Sequence, residues 1–212
     1  LSQEEINALL GGADSEPDAD AAASAGTDVS SASASSEERL SPEEGDALGE
    51  IANISMGTAA TTLSVLLNNR VEITTPALSY VTVDDLKEKN QAPCVFVYIA
   101  YRTGLEGRNV LVLKERDVKI ITDLMMGGDG TNTDVELSDL HLSAISEAMN
   151  QMMGSSATSM STMINEMVDI SPPTSIRVDF DDDAGLQDVL SDMIGNLYAQ
   201  VSFKMVIGDL ID

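Results

Sequence analysis

Positive charge is scarce in this 212-residue sequence: 11 Lys and Arg stand against 36 Asp and Glu, a formal net charge of -25. Such acidity argues against nucleic acid and against anionic membrane surfaces, because both attract basic patches. A single cysteine, Cys94, permits no internal disulfide. Its place in the apolar run Cys94-Val-Phe-Val-Tyr-Ile99 predicts a buried, reduced thiol in a strand. A single histidine, His141, has no second His and no cysteine pair with which to build a zinc set. Nothing beside it marks a nucleophile that it would serve as general base. No apolar run is long enough to span a bilayer, and no basic-then-apolar segment opens the chain. The first residue is Leu1 rather than Met, which is expected of a fragment. The length holds one domain with a real core, plus a tail.

What the chain does have, it has twice. Asp46-x-x-x-Glu50-x-x-Asn53 with Pro76 behind it recurs as Ser143-x-x-x-Glu147-x-x-Asn150 with Pro173 behind it, each residue 97 positions on (143 − 46, 173 − 76). The same register pairs Met56 with Met153, Gly57 with Gly154, Ala60 with Ala157 and Thr61 with Thr158. It continues through Ser64 and Ser161, Asn68 and Asn165, Val71 and Val168, and Ile73 and Ile170. The period is too long for a solenoid, so the reading is two halves of one pseudo-symmetric domain.

Three segments follow from composition and periodicity. Residues 1–10, Leu1, Ser2, Gln3, Glu4, Glu5, Ile6, Asn7, Ala8, Leu9 and Leu10, carry a capping-box pattern (Ser2, Glu5) and one apolar stripe (Ile6, Leu9, Leu10). Gly11 and Gly12 stop that helix. Ten residues are too few for a stable free helix, so docking into a partner's groove is the sharper expectation. The alternative is a frayed terminus packed on its own domain. Residues 11–37 form a linker. Up to Ser36 it holds no aromatic, Lys or Arg, and Val29 is its one large apolar side chain, so it reads as a disordered acidic tether.

The folded domain is expected over 38–212, with half-repeats at about 41–135 and 138–212. Ser41-Pro42-Glu43-Glu44 opens a helix that runs to about Asn68. Arg70 to Tyr80 reads as a strand, and Pro93 to Thr103 and Asn109 to Leu113 as two more. Glu115 to Met126 is a helix ended by Gly127-Gly128. A second long helix opens near Ser138 and reaches about Glu166. Strands follow at Val168 to Ile170, Ser175 to Phe180 and Tyr198 to Ile207. The predicted fold class is therefore α+β, with two long helices packed on an antiparallel β-sheet. The acidic stretches Asp129 to Glu136 and Asp181-Asp182-Asp183 lack the central glycine of an EF-hand loop and read as solvated turns.

On a helix, positions i, i+4 and i+7 lie within about 60° of one another. Asp46, Glu50 and Asn53 share one face, as do Ser143, Glu147 and Asn150, with Gly57 and Gly154 on the same stripes. A glycine there lowers the side-chain wall for an approaching partner. Leu48, Ile51, Ala52 and Leu63, and Ile145, Ala148, Met149 and Met160, form the opposite, inward stripes. Glu and Asn on one such helix are ordinary surface residues. Asn is unfavourable in a helix interior, so its recurrence in frame with Glu points to function. Neither group is a covalent nucleophile here. A carboxamide can orient a water, which suits in-line attack on a phosphoryl group.

The repeated Asp/Ser-x-x-x-Glu-x-x-Asn, 22 residues, then Pro, resembles the signature of the CheC/CheX/FliY family of chemotaxis phosphatases. The opening Leu-Ser-Gln-Glu-Glu-Ile-Asn-Ala-Leu-Leu resembles the CheY-binding peptide of flagellar switch proteins. The resemblance covers nearly the whole chain outside the tether. It implies a pseudo-twofold CheC-like domain that hydrolyses the aspartyl phosphate of phosphorylated CheY. Asn53 and Asn150 would orient the attacking water, Glu50 and Glu147 would pair with the receiver's lysine, and Asp46 and Ser143 would support the face. Pro76 and Pro173 would shape the following strand. The implied chain has no cofactor of its own, the Mg²⁺ residing on the CheY partner. Its other implied partners are FliM, FliG and FliN-type switch proteins. Its implied place is the cytoplasmic face of the flagellar basal body, in the switch complex. A FliN-like domain is expected beyond Asp212. The alternative within this resemblance is a structural switch component that docks phosphorylated CheY without turnover.

Overall fold

A computed structural model describes residues 39–90, 92–180 and 197–211. The expected docking peptide at 1–10, the tether at 11–37 and the Asp181-Asp182-Asp183 turn lie outside these residues. The described chain runs α1 (Pro42–Leu67), β1 (Val71–Ile73), β2 (Ala77–Val81), α2 (Val83–Lys89), β3 (Cys94–Thr103), β4 (Arg108–Lys114) and α3 (Glu115–Met125). It continues through α4 (Asp139–Ile164), β5 (Asp169–Ile170), β6 (Thr174–Val178), β7 (Tyr198–Ser202) and β8 (Met205–Ile207). The fold is α+β, and the strands pair antiparallel.

The duplication is visible residue by residue. Helices α1 and α4 are both 26 residues long and start 97 positions apart (139 − 42). Both end on an asparagine in the left-handed region, Asn68 at φ 49 and Asn165 at φ 55, a conformation Asn tolerates better than most residues. Beyond each cap a serine holds the chain to the helix. Ser64 Oγ accepts from the Val71 amide at 2.9 Å and donates to the Ala60 carbonyl at 2.8 Å. Ser161 Oγ makes the same bonds to Val168 and Ala157, both at 2.8 Å.

The two repeats interlock through their strands. Strands β5 and β6 of the second repeat pair with β3 of the first: Val178 faces Cys94, Thr174 faces Tyr98 and Ile170 faces Tyr101. Strands β1 and β2 of the first pair with β7 and β8 of the second: Val81 faces Tyr198, Ala77 faces Ser202 and Ile73 faces Met205. The inner residues keep the spacing of 97 (178 − 81), while their partners stand 104 apart (198 − 94). Apart from the β3–β4 pair within the first repeat, the strands thus find their partners across the repeats, so neither half completes its own sheet.

Two expected strands are broken. Arg70 to Tyr80 is β1 and β2, separated at residues 74–76, because Pro76 has no N–H to donate to a ladder. Its cross-strand counterpart, Tyr198 to Ile207, breaks opposite at Phe203-Lys204. There the Lys204 amide bonds Thr74 Oγ1 at 3.0 Å and the Thr74 amide bonds the Lys204 carbonyl at 2.9 Å. Helix α2 was not expected. Its signal is a capping box, Thr82 with Asp85, ahead of a single buried apolar residue, Leu86.

The main core lies between α1, α3, α4 and the inner faces of the strands. Leu63, Val95, Val97, Ile99, Val118, Ile121, Ile145 and Met149 are among its fully buried members. Strand β3 is buried on both faces, since Cys94 and Phe96 pack with Val178 on the other side. Cys94 is buried as a free thiol, and burial pushes its pKa up. Among the described residues, no helix is long and apolar enough to cross a membrane.

The start of α3 is tied to β6. Glu115 accepts from Arg177 Nε and pairs with Lys119, each at 2.9 Å. Burial raises the Glu115 carboxyl, but the hydrogen bonds and charges of Lys119 and Arg177 outweigh it and hold the group below its ordinary 4.5. A depressed carboxylate stabilises the fold above its unfolded value, and that contribution is lost as pH falls through the folded value. Glu115→Gln should therefore cost about 0.5–1 kcal/mol at neutral pH. The gap from wild type should close on acidification through the carboxylate range, read by urea unfolding at each pH. A gap independent of pH would show that the pair contributes nothing through charge.

Candidate functional site

Each site begins with a well-capped helix. At α1, Ser41 and Glu44 satisfy each other's backbone: the Ser41 amide donates to Glu44 Oε2 at 2.8 Å, and the Glu44 amide donates to Ser41 Oγ. The Ser41 amide and, at 2.9 Å, the Ser41 hydroxyl both donate to the Glu44 carboxylate and lower its pKa. At α4 the role of that glutamate falls to His141, whose Nδ1 accepts from the Ser138 amide at 3.2 Å. The lone histidine thus has a local structural task at the head of the second site helix.

The motif residues face outward. Asp46, Glu50, Asn53 and Gly57 are exposed along α1, and Ser143 and Glu147 are exposed along α4, with Asn150 and Gly154 half-buried. Of the expected inward stripes, Leu63, Ile145, Ala148 and Met149 are essentially sealed and Met160 is nearly so, while Leu48, Ile51 and Ala52 near the start of α1 are only half-buried. Among the residues of α1 and α4 there is no Lys or Arg. Carboxylates, carboxamides and hydroxyls are what either helix offers on its surface.

Gly57 and Gly154 have no internal explanation. A methyl group on either would meet nothing within 4 Å. No positive φ is required there, and glycine inside a helix costs about 1 kcal/mol relative to alanine. The open space lies on the motif face, where a partner could use it.

Structure brings the second motif together. Ser143, Glu147, Asn150 and Pro173 line one open recess of about 520 Å³. Pro173 arrives there by directly preceding β6, as Pro76 precedes β2. Sequence reasoning did not find the rest of the wall, which includes Leu142, Ser146, Thr174 and Ser175. Ser146 Oγ donates to Ser175 Oγ at 2.7 Å, which hooks α4 to β6 beside the motif. The first site is walled differently. Leu78 stands where Ser175 stands in the second (175 − 78, the 97-residue offset), and a side chain at Gly45 would meet its Cδ2 at 3.1 Å.

The two sites are well separated. Ile51, early in α1, packs on the cluster of Ala157, Met160 and Val168 that Met163 and Ile164 at the end of α4 also cover, and Thr58 Oγ1 donates to Ser159 Oγ at 3.4 Å. The helices therefore run antiparallel, and Asn53 lies opposite the last turn of α4, away from Asn150. A separation of about 14 residues at 1.5 Å each places the two asparagines roughly 20 Å apart along the helix pair. One small group cannot touch both asparagines.

Residues 43–80 and 140–177 match the CheC-like family, two stretches that begin and end 97 positions apart (140 − 43, 177 − 80). The flagellar motor switch phosphatase FliY of Bacillus subtilis (strain 168) is 42% identical over 212 residues, 100% of this chain and 52% of that protein. The chain spans about half the length of that relative. The crystal structure of Thermotoga maritima FliY is similar, with a TM-score of 0.73 and 44% identity over 81% of this chain and 86% of that one. A chain in a FliG–FliM complex from H. pylori shares the fold, with a TM-score of 0.63 at 17% identity over 80% of this chain and 89% of that one.

Proposed function

The chain belongs to the CheC-like family, alongside FliY, and from that premise we propose that it hydrolyses the aspartyl phosphate of phosphorylated CheY at the flagellar switch. The observation that carries this reading is the recurrence of Glu and Asn, one turn apart, on the outward faces of two helices without a single Lys or Arg. Such a face cannot bind a free phosphate well. It can complete a site in which the partner already neutralises the phosphoryl group with its own Mg²⁺ and lysine.

The division of labour follows from donor and acceptor chemistry. Glu50 or Glu147 pairs with the receiver's lysine and sets the register of docking. One helical turn on, Asn53 or Asn150 reaches the phosphoryl group. Its amide oxygen accepts from a water and its nitrogen donates, which aligns that water for in-line attack. Asp46 and Ser143 border the contact, and Pro76 and Pro173 fix the strand behind each site. Positioning of this kind supplies most of the catalysis in phosphoryl transfer. The segment 1–10 captures phosphorylated CheY and the tether raises its effective concentration at the domain. The setting is the cytoplasmic switch complex, with FliM, FliG and FliN-type proteins as neighbours.

The test is the decay of radiolabelled phosphorylated CheY in Mg²⁺, with and without this chain. Faster decay with release of inorganic phosphate supports the reading. Binding with an unchanged decay rate would make the chain a docking component of the switch. The open glycines give a second check. Gly57→Ala with Gly154→Ala should stabilise the fold by about 0.5–1 kcal/mol per site in urea unfolding. The same change should weaken docking by about 1–3 kcal/mol, read as a raised KM, because each methyl enters the space left for the partner. A KM equal to wild type would remove the glycines from the contact.

A further inference from the structure

The two sites carry the same motif but hold its glutamate differently. Gln151 Nε2 donates to Glu147 Oε1 at 2.9 Å, one turn along α4. The equivalent position in the first site is Ile54 (151 − 54, the 97-residue offset), which is 42% exposed and has no group to donate. The surrounding wall repeats the difference. The Ser146–Ser175 bond fixes α4 to β6 beside Glu147, whereas Gly49 and Leu78 stand at those places in the first site and cannot make it.

We propose that Gln151 is a positioning residue of the second site, that its amide holds Glu147 ready for the partner's cation, and that the second site is consequently the faster of the two. The inference rests on the phosphatase reading above. An ionised carboxylate has lone pairs on both oxygens, so a bond to Oε1 leaves Oε2 for the partner. A glutamate on an exposed helix otherwise samples many rotamers, and docking has to select one. Gln151 makes that selection before the partner arrives. Glu50 makes it during docking.

Single-site proteins test this directly. Asn53→Ala leaves only the second site competent, and Asn150→Ala leaves only the first. With phosphorylated CheY as substrate, the second-site protein should show the higher kcat/KM. Adding Gln151→Leu to it should lower that value about 1.5- to 2.5-fold, in line with the modest strength of exposed i,i+4 pairs. Adding Ile54→Gln to the first-site protein should raise it by a similar factor, a gain that a merely structural residue would not deliver. An unchanged rate in either transplant, or a faster first site, overturns the proposal. NMR of the Glu147 side chain in the full chain supplies a readout independent of turnover. Restricted rotamers in wild type that become averaged in Gln151→Leu support the positioning role even if no phosphate is released. Averaged rotamers in wild type refute it, and loss of turnover with ordered Glu147 instead counts against the phosphatase reading.

Discussion

Replacing both Asn53 and Asn150 with alanine is expected to abolish the acceleration of phosphorylated-CheY decay while leaving the protein folded and able to bind. In the proposed mechanism the carboxamide is the group that aligns the attacking water. Removing a preorganised group of this type costs about 10²–10³ in rate. The fold should tolerate the change well, because Asn53 is exposed and Asn150 half-buried on helix surfaces where alanine has the higher propensity. The sites lie roughly 20 Å apart, beyond the range at which substitutions usually couple, so each single variant should remove only its own site's share. Gln151 predicts that Asn150→Ala takes the larger share. The measurement is single-turnover decay with unfolding monitored in parallel. A double variant as fast as wild type would take both asparagines out of the chemistry, whatever the family.

The second large effect concerns the strand that joins the repeats. Phe96→Ala should destabilise the domain by about 3–5 kcal/mol, the usual range for emptying a buried phenylalanine site. Phe96 is 0% exposed and packs with Cys94 and Val178. Its ring meets Phe180 edge-on at 5.9 Å and Tyr98 at 6.3 Å. Strand β3 pairs with β4 on one side and with β5 and β6 of the other repeat on the other side. The loss should therefore be felt in both repeats as one cooperative transition. For a domain of this size it corresponds to a Tm lowered by roughly 10 °C. A shift of about 1 kcal/mol or less, or two resolved transitions, would show that β3 is not the element that couples the halves.

The duplicated helices were legible because everything that specifies them is local. Ser41, Pro42 and Glu44 cap α1 within three residues, and the apolar stripe from Leu48 to Leu63 repeats at helical spacing. The motif spacing then fixes which side chains share a face, without reference to the rest of the chain. Helix α2 escaped notice because one apolar residue, Leu86, is too little for a periodic signal. The recess wall escaped it because Ser146 meets Ser175 across 29 positions, and neither serine is distinctive alone.

The strand exchange marks the boundary most clearly. Sequence alone determined two repeats, two outward Glu/Asn faces, an acidic chain poor in cations and an α+β class, since these follow from composition and short-range periodicity. Only the tertiary structure decided that each repeat lends its first strands to the other. The pairing residues of β3 and β7 stand 104 apart rather than 97, and Cys94 and Tyr198 share no pattern that would announce their equivalence. The sequence already makes the sites unequal at Asp46 and Ser143 and at Ile54 and Gln151, and the tertiary structure adds to this by placing Leu78 beside the first motif and Ser175 beside the second. Hydrogen bonds and side-chain contacts between distant segments depend on where the backbone brings them, and no local spacing encodes that.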